Sequence, residues 1–272
     1  MQSIFMCGCF RSNTSVSAFI LDNHPEILMA NELCAFEFDE RMHNRLHWCA
    51  SRPGKGMKPQ KRYLRDKGEN LSLNYEKFYY EIMNHPKLQF ANFVKLVQRH
   101  KSPTVTSVGE KLPAYVVDRP VHEIDWVHKK YLQFGPMKVV CCIRDCRDVI
   151  TSQIQRWHKT AKKPPTSLWK RPDVKGCVTG DRTWHRYMES WTTWKGKTNF
   201  PCHEIHYGKL ESDMDGEAEK LAKFLGVDPL PMKESFKNHF KPSSTWKSFM
   251  PNLTEQLPKE WIEMMKLYEF IS

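Results

Sequence analysis

The stretch FMCGCFRSNTSVSAFILDNHPEI, residues 5–27, contains the pattern that decides the fold. The short apolar run at 3–9 predicts a buried strand, and apolar side chains at helical spacing predict a helix over 14–23. Between them lies the polar segment RSNTS at 11–15. A loop that leads from a strand into a helix presents backbone N–H groups and the positive end of the helix dipole, so this pattern is typical of an anion-binding site.

The loop differs from the phosphate-binding loop of nucleotide triphosphatases, whose pattern is G-x-x-x-x-G-K-[ST]. Gly8 is followed five residues later by Asn13, so the second glycine is missing, and the lysine is missing as well. Arg11 and the hydroxyl groups of Ser12, Thr14 and Ser15 are the donors that an anion would meet instead. The alternative is an ordinary strand–turn–helix unit with polar caps.

Strands and helices alternate in the rest of the chain. Apolar runs predict strands at 104–111, 137–145 and 202–207. Amphipathic patterns predict helices at 122–134, 147–157 and 216–227, the last ending at Gly226. This alternation predicts an α/β fold with a parallel sheet flanked by helices.

A second polar element follows the strand predicted at 137–145. Arg144 comes at its end, where ligands of open α/β sheets collect. Ser152 lies eight residues later on the predicted helix, and Arg156 lies one helical turn further on the same face. These three side chains could hold a second phosphate. The alternative is a salt-bridged turn made of Arg144, Asp145, Arg147 and Asp148.

The composition indicates which class of binding partner and which cellular compartment to expect. The 272 residues carry a net charge of +11, which favours an anionic partner, although a merely soluble basic surface explains the charge as well. No stretch of about 18 apolar residues occurs, so no membrane span is expected. Met1-Gln2-Ser3 leads directly into the first strand without a signal peptide, which predicts a cytoplasmic protein, or a Golgi-lumen protein if a longer chain has been trimmed.

The nine cysteines favour a reducing compartment over a metal site. Cys7, Cys9, Cys141 and Cys142 lie in or beside predicted strands and are interpreted as small buried hydrophobic residues. The spacings around them lack the paired CxxC pattern of zinc sites, so we expect no metal.

Several motifs together resemble the sulfotransferases that use 3′-phosphoadenosine 5′-phosphosulfate (PAPS). RSNTS at 11–15 resembles the family's R-S-G-T-T loop, and RDCRDVITS at 144–152 resembles its R-D-P-R-D-V-x-x-S motif with the same spacing. GEKLP at 109–113 resembles G-D-K-x-P, and HFKPSSTWK at 239–247 resembles a late loop that closes over the nucleotide. HEIHYGKLESD at 203–213 is similar to the R-Y-E-D-L segment.

The resemblance implies a P-loop NTPase-like sulfotransferase fold over a single domain, 1–272. It implies an enzyme of class EC 2.8.2 that moves a sulfuryl group from PAPS to a hydroxyl or amine and releases adenosine 3′,5′-bisphosphate (PAP) without a metal. The acceptor would be a small molecule, a carbohydrate or a peptide, and neither nucleic acid nor a membrane is expected as a partner. The segment 40–102 would be a helical insertion on the acceptor side, and 159–182 would be a lid.

The motif spacing is most similar to the tyrosylprotein sulfotransferase branch, in which a glutamate follows the loop arginine by 21 residues. That glutamate corresponds to Glu32, which the resemblance implies is the general base. Arg11 and Lys111 would be the catalytic cations. The residues implied to bind the nucleotide are Arg11, Ser12, Asn13, Thr14, Ser15, Arg144, Ser152, Arg156, Tyr207, Ser243, Ser244 and Lys247.

Three departures from the family pattern mark a divergent member. Asn13 replaces a glycine, so the loop must accept either a side chain or an asparagine in the left-handed conformation. Cys146 replaces a proline, and HYGKL at 206–210 lacks the acidic residue of R-Y-E-D-L.

Two other functions remain open from the sequence. A small-molecule kinase with a P-loop would need a loop lysine and an acidic magnesium ligand. A basic protein that binds nucleotide or nucleic acid without catalysis would show aromatic residues interleaved with lysine and arginine on a recognisable module, and none is apparent.

Overall fold

A computed structural model describes residues 2–31, 104–111, 136–160, 173–179, 183–241 and 246–271. The strands are β1 (Gln2–Gly8), β2 (Ile27–Asn31), β3 (Ser107–Lys111), β4 (Met137–Ile143) and β5 (Cys202–His206). The helices are α1 (Thr14–Asp22), α2 (Cys146–Thr160), α3 (Val174–Thr179), α4 (Trp184–Lys195), α5 (Tyr207–Ser212), α6 (Met214–Leu225), α7 (Pro229–His239), α8 (Trp246–Phe249) and α9 (Lys259–Leu267), with a 3₁₀ turn at Thr254–Gln256.

The strands form one parallel sheet in the order β2-β3-β1-β4-β5. The predicted fold class is therefore confirmed. From the central strand β1 the chain passes to β2 and β3 on one side, and from β4 it passes to β5 on the other. Ligands of open α/β sheets bind where the connections diverge in this way, at the carboxyl ends of the strands. The topology therefore points to the crevice between β1 and β4.

Alternating side chains of β1 pack into two separate cores, one on each face of the sheet. Phe5 and Cys7 face the core built from α2, α4 and α9, which contains the buried Trp184 and Trp191. Ile4 and Met6 face the core built from α1, α6 and α7. Because both faces are covered, the strand is apolar from Ile4 to Cys7, which is the pattern of a central strand in a parallel sheet.

The predicted elements occur with shifted ends. The strand predicted at 104–111 begins at Ser107, and the strand predicted at 137–145 ends at Ile143, so Arg144 lies just beyond it. Helix α6 begins two residues before the predicted start, because the Asp213 carboxylate accepts a hydrogen bond from Gly216 N. Gly226, with φ of 75°, ends that helix as predicted.

Two predicted segments fall partly or wholly outside the described residues. The segment 40–102 and the helix predicted at 122–134 lie outside them. Within 159–182, Val174–Thr179 forms α3, whose Cys177 packs in the core. No helix in the described part of the chain is long and apolar enough to cross a lipid bilayer.

The prediction for the cysteines in the strands is confirmed. Cys7, Cys9, Cys141 and Cys142 are buried free thiols. Burial raises the pKa of Cys9 and of Cys142 to about 12, so both thiols are protonated at neutral pH.

The close packing of the central strands generates a stability prediction at Gly109. A Cβ atom there would lie 2.7 Å from the Ile4 carbonyl oxygen and 2.8 Å from the Ile4 Cβ. We expect Gly109→Ala to lower the free energy of unfolding by about 1–3 kcal/mol, because the added methyl group forces β1 and β3 apart.

Denaturant unfolding measures this change, and Gly208→Ala is the matched control. Nothing lies within 4 Å of a Cβ atom at Gly208, which is in α5. The control should be neutral or stabilising by about 0.5–1 kcal/mol, because alanine favours a helix over glycine. Equal unfolding free energies for the two variants would contradict the packing argument.

Candidate functional site

The loop between β1 and α1 is held in a left-handed conformation at two positions. Arg11 has φ of 71°, and Asn13 has φ of 60° and ψ of 21°. Of the two possibilities expected for Asn13, the left-handed conformation is the one that occurs. Ser12 N donates to Cys9 O at 3.1 Å and closes a turn inside the loop. The loop therefore has a defined shape that delivers the chain to the start of α1.

Gly8 allows this loop to lie close against the sheet. A Cβ atom at Gly8 would come 3.0 Å from the Cys142 carbonyl oxygen of β4, and it would clash with the Thr14 methyl group. Thr14, the first residue of α1, is buried. The missing side chain at Gly8 thus brings the N-terminus of the helix over the carboxyl ends of β1 and β4.

Two features of the loop favour an anion. The Asn13 side chain makes no capping hydrogen bond to α1, so the positive end of that helix is not covered by its N-cap side chain. The Ser12 Oγ atom is buried and has no hydrogen-bond partner among the described residues. A buried hydroxyl without a partner is costly, so an acceptor bound in the loop would stabilise it. Ser15 is exposed on the first turn of α1.

Arg144 connects the two predicted anion-binding elements. It lies directly after β4, and its side chain is 4 % exposed. Its NH1 group donates to the Arg11 carbonyl oxygen at 2.9 Å and to Asn13 Oδ1 at 3.5 Å. Burial lowers the pKa of Arg144, while the nearby Asp148 carboxylate opposes that shift. The buried guanidinium therefore anchors the loop at 11–13 to the end of β4.

Arg11 reaches from the loop to α2. Its Nε donates to Ser152 Oγ at 3.0 Å. Burial lowers the pKa of Arg11 first, and the positive charges of Arg156 and Arg144 lower it further. Three guanidinium groups therefore gather where the loop meets α2, and a bound anion would relieve their mutual repulsion. The structure thus brings Arg11 to Arg144, Ser152 and Arg156, whereas the sequence predicted only the grouping of the last three.

Tyr207 approaches the same loop from the first residue of α5. Its hydroxyl donates to the Asn13 carbonyl oxygen at 3.4 Å and lies 3.3 Å from Ser17 Oγ. Burial is the main cause that raises the pKa of Tyr207, so the hydroxyl stays neutral over the physiological range. The tyrosine therefore acts as a neutral donor beside Arg144.

Lys111 is buried at the end of β3, at the same edge of the sheet. It pairs with Met6 of β1 and with Asn31 of β2 in the strand register, and its side chain is 1 % exposed. Its positive charge lowers the pKa of the nearby Cys142 thiol, although burial raises that pKa more. A buried ammonium thus lies at the carboxyl end of the central strands, where a developing negative charge would be stabilised.

A cleft of about 390 Å³ opens beside these groups. One part of its lining comes from the turn after β4, the first turn of α2 and α5, and another part, here called the far wall, comes from α8 and the C-terminal end of the chain. The loop at 11–15 is not part of the lining. The residues that line it are Arg144, Asp145, Arg147, Asp148, His206, Tyr207, Gly208, Lys209, Glu211, Ser212, Trp246, Lys247, Tyr268, Glu269 and Phe270.

Most residues of the far wall of this cleft were not predicted from the sequence. Lys247 was predicted to bind the nucleotide and does line the cleft, but Trp246, Tyr268 and Phe270 were not identified. Trp246 lies in the STWK segment that carried the resemblance, so it could have been considered. Nothing in the sequence of the last residues distinguishes a cleft wall from an ordinary chain end.

Three predicted site residues lie outside the described residues, namely Glu32, Ser243 and Ser244. Glu32 directly follows β2, whose last residue pairs with Lys111. No cluster of three or more His, Cys, Asp and Glu side chains with the geometry of a metal site occurs in the part of the chain that the structure describes.

A family model of the sulfotransferase family matches residues 3–231. No curated protein sequence matches the chain significantly.

Solved structures of sulfotransferases share the fold. The sulfotransferase domain of the Synechococcus PCC 7002 olefin synthase superposes with a TM-score of 0.63 at 17% identity, covering 100% of this chain and 96% of that one. The sulfotransferase domain of the curacin biosynthetic pathway gives 0.56 at 12% identity, with 98% and 96% coverage. A sulfotransferase from Alicyclobacillus acidocaldarius gives 0.52 at 15% identity, with 98% and 93% coverage.

The left-handed conformation of Asn13 generates a prediction for the loop. Asn13→Ala should lower the free energy of unfolding by about 1–2 kcal/mol, because a Cβ-bearing residue without a short polar side chain disfavours φ of 60°. Asn13→Gly is the matched control, since glycine adopts this conformation without strain. Denaturant unfolding of the two variants measures the difference, and equal stabilities would show that the loop relaxes to another conformation.

Proposed function

The chain belongs to the sulfotransferase family, and from that premise we propose that it transfers a sulfuryl group from PAPS to a hydroxyl or amine. The acceptor is a small molecule, a carbohydrate or a peptide. The proposal adds two points to the family membership, namely the identity of the donor nucleotide and the roles of the residues that bind it and act on it.

One observation carries the choice of donor. The loop at 11–15 and the segment 144–152 come from distant parts of the sequence, yet Arg144 donates to Arg11 O and Arg11 donates to Ser152 Oγ. PAPS carries one anionic group at each end of its ribose, on the 5′ and the 3′ oxygen. Two joined anion-binding elements suit such a ligand better than they suit one with a single phosphate.

The 5′ end of the donor would lie in the loop. Ser12, Asn13, Thr14 and Ser15 would bind the 5′-phosphate through backbone and hydroxyl donors at the N-terminus of α1. Arg11 would neutralise the charge that develops on the oxygen between phosphorus and sulfur as that bond breaks.

The 3′-phosphate would be held from α2 and the turn that precedes it. Arg144 and Ser152 would be its main ligands, and the exposed Arg156 would add a positive charge. Tyr207 would bind on the adenosine side. Lys247, together with Ser243 and Ser244, would belong to the loop that closes over the nucleotide.

The acceptor would be activated by Glu32 and positioned next to Lys111. Glu32 would take the proton from the acceptor hydroxyl or amine as that group attacks sulfur, as the tyrosylprotein branch implies. Lys111 would stabilise the charge on the transferring group. The reaction needs no metal in this scheme, because fixed cations already surround the leaving group.

The arrangement of the chain around this site is also part of the proposal. We assign one catalytic domain, 1–272, in which 40–102 forms the acceptor side and 159–182 forms a lid. The net charge of +11 suits an anionic donor, and it would also suit an anionic acceptor.

Calorimetric titration without magnesium tests the donor. The protein should bind PAP more tightly than AMP, because Arg144 and Ser152 contact the 3′-phosphate. Arg144→Ala should weaken PAP binding by about 10-fold to 150-fold, as expected for one lost hydrogen-bonded charge contact of 1.5–3 kcal/mol. AMP binding should fall by a smaller factor, because AMP loses only the support that Arg144 gives to the loop at 11–13. Lys223→Ala, at the distant C-terminal end of α6, is the control for loss of a positive charge.

Two outcomes would contradict the assignment of PAPS as the donor. Magnesium-dependent ATP binding without PAP binding would favour the P-loop kinase. Binding of nucleic acid that weakens steeply with salt, again without PAP binding, would favour the non-catalytic function.

Turnover with a radiolabelled sulfuryl group tests the catalytic residues. We expect Arg11→Ala and Glu32→Gln to lower kcat by about 10²-fold or more, in the range typical of a lost general base or charge-stabilising group. Glu32→Gln should leave the affinity for PAP unchanged, because the base does not contact the nucleotide. If Glu32→Gln keeps full activity across the pH range, Glu32 is not the base.

A further inference from the structure

Arg147 is a buried arginine that the proposed mechanism does not use. Its side chain is 9 % exposed, and it forms a forked ion pair with Asp145. Its Nε lies 3.0 Å from both carboxylate oxygens, and its NH2 lies 2.6 Å from Oδ2. This pair confirms part of the salt-bridged turn that was the alternative for these residues. The pair alone satisfies the charge of Arg147.

Arg147 nevertheless makes three more contacts, and all of them reach the C-terminal part of the chain. Its NH1 donates to Thr254 Oγ1 at 3.3 Å, and its NH2 donates to the Phe270 carbonyl oxygen at 3.3 Å. Its guanidinium lies 4.0 Å from the ring centre of Trp246, which is within cation–π distance. One side chain thus connects the end of β4 with α8, the 3₁₀ turn and the chain end.

These C-terminal elements form the far wall of the cleft beside Arg144. Trp246, Lys247 and Phe270 line that wall. The backbone of Trp246 also donates to the Asp148 carboxylate at 3.5 Å, so α8 rests on the first turn of α2. The position of Lys247 in the cleft therefore depends on how firmly α8 is held there.

The two arginines of this turn both line the cleft, and their hydrogen bonds run to different parts of the chain. Arg144 holds the loop at 11–13, and Arg147 holds α8 and the chain end. Because only two residues separate them, one short turn carries both sets of contacts. A change at Arg147 would therefore disturb the far wall and leave the hydrogen bond from Arg144 to the loop in place.

We propose that Arg147 is a positioning residue that fixes the far wall of the donor cleft and sets the position of Lys247 against the bound nucleotide. This inference rests on the proposed function, since it assumes that PAP occupies the cleft. Arg147 itself lines the cleft, and the role proposed for it is exerted through Trp246 and α8.

PAP titration of Arg147→Gln, Lys247→Ala and the double variant tests the inference. Each single variant should weaken PAP binding by about 5-fold to 10-fold, and the double variant should bind no more weakly than Arg147→Gln, because the lysine is already misplaced. If Arg147 has a purely structural role, Arg147→Gln should lower the melting temperature and the number of binding sites per chain but leave the Kd for PAP unchanged. Lys247→Ala should then weaken PAP binding as much in the Arg147→Gln background as in the unmodified protein.

Trp246 provides a second route if Arg147→Gln fails to fold. Trp246→Leu removes the ring and leaves the ion pair of Arg147 with Asp145 intact, so it should weaken PAP binding by a similar factor. Adding Lys247→Ala to Trp246→Leu should then cause no further loss of PAP affinity. Trp246→Phe keeps a ring for the guanidinium and should restore most of the affinity. Lys259→Gln, at the exposed start of α9, is the matched control for loss of charge in the same segment.

The outcomes separate the inference from the function on which it rests. The positioning role would be overturned if the fold-losses of PAP affinity in the single variants multiply in the double variants. It would also be overturned if Arg147→Gln and Trp246→Leu both bind PAP with wild-type affinity. Either result would leave the sulfotransferase proposal standing. Failure of the unmodified protein to bind PAP would overturn the proposed function, and the role of Arg147 would fall with it.

Discussion

The hydrogen bond from the buried Arg144 guanidinium to the Arg11 carbonyl oxygen is the interaction on which the site depends. It joins the end of β4 to the loop that follows β1, so two segments more than a hundred residues apart in the sequence share one crevice. Burying a guanidinium is costly unless its donors are paired, and the backbone oxygen of a left-handed residue provides such a partner here. The strained loop and the buried charge therefore stabilise each other.

Local patterns in the sequence predicted the parts of this arrangement that depend on nearby residues. The apolar runs of β1 and β4 and the polar loop between β1 and α1 were visible, because burial on both faces and a helix start leave clear local patterns. The place of Asn13 in the motif left two possibilities open, and the left-handed conformation was one of them. The strand order did not follow, because β3 enters between β1 and β2 through long-range pairing that no local pattern encodes.

The far wall of the cleft could not be predicted for a different reason. Arg147 looked like a partner for adjacent acidic residues, and it does pair with Asp145. Its contacts with Thr254, Trp246 and Phe270 arise only after the C-terminal segment has folded back onto the sheet. Thus the motif predicted ligands for the proposed donor, whereas the tertiary fold determines the shape of the cleft beside them.

The pairing of the central strand has a consequence for the order in which the protein is made. Gln2 of β1 pairs with Ser107 of β3, and Ser3 pairs with Met137 of β4. During synthesis on the ribosome, β1 is made before β3 and β4, the two strands that pair with it. During that interval β1 exposes an apolar edge that could pair with other chains. The parallel topology that creates the crevice therefore leaves β1 incompletely paired until β4 has been synthesised.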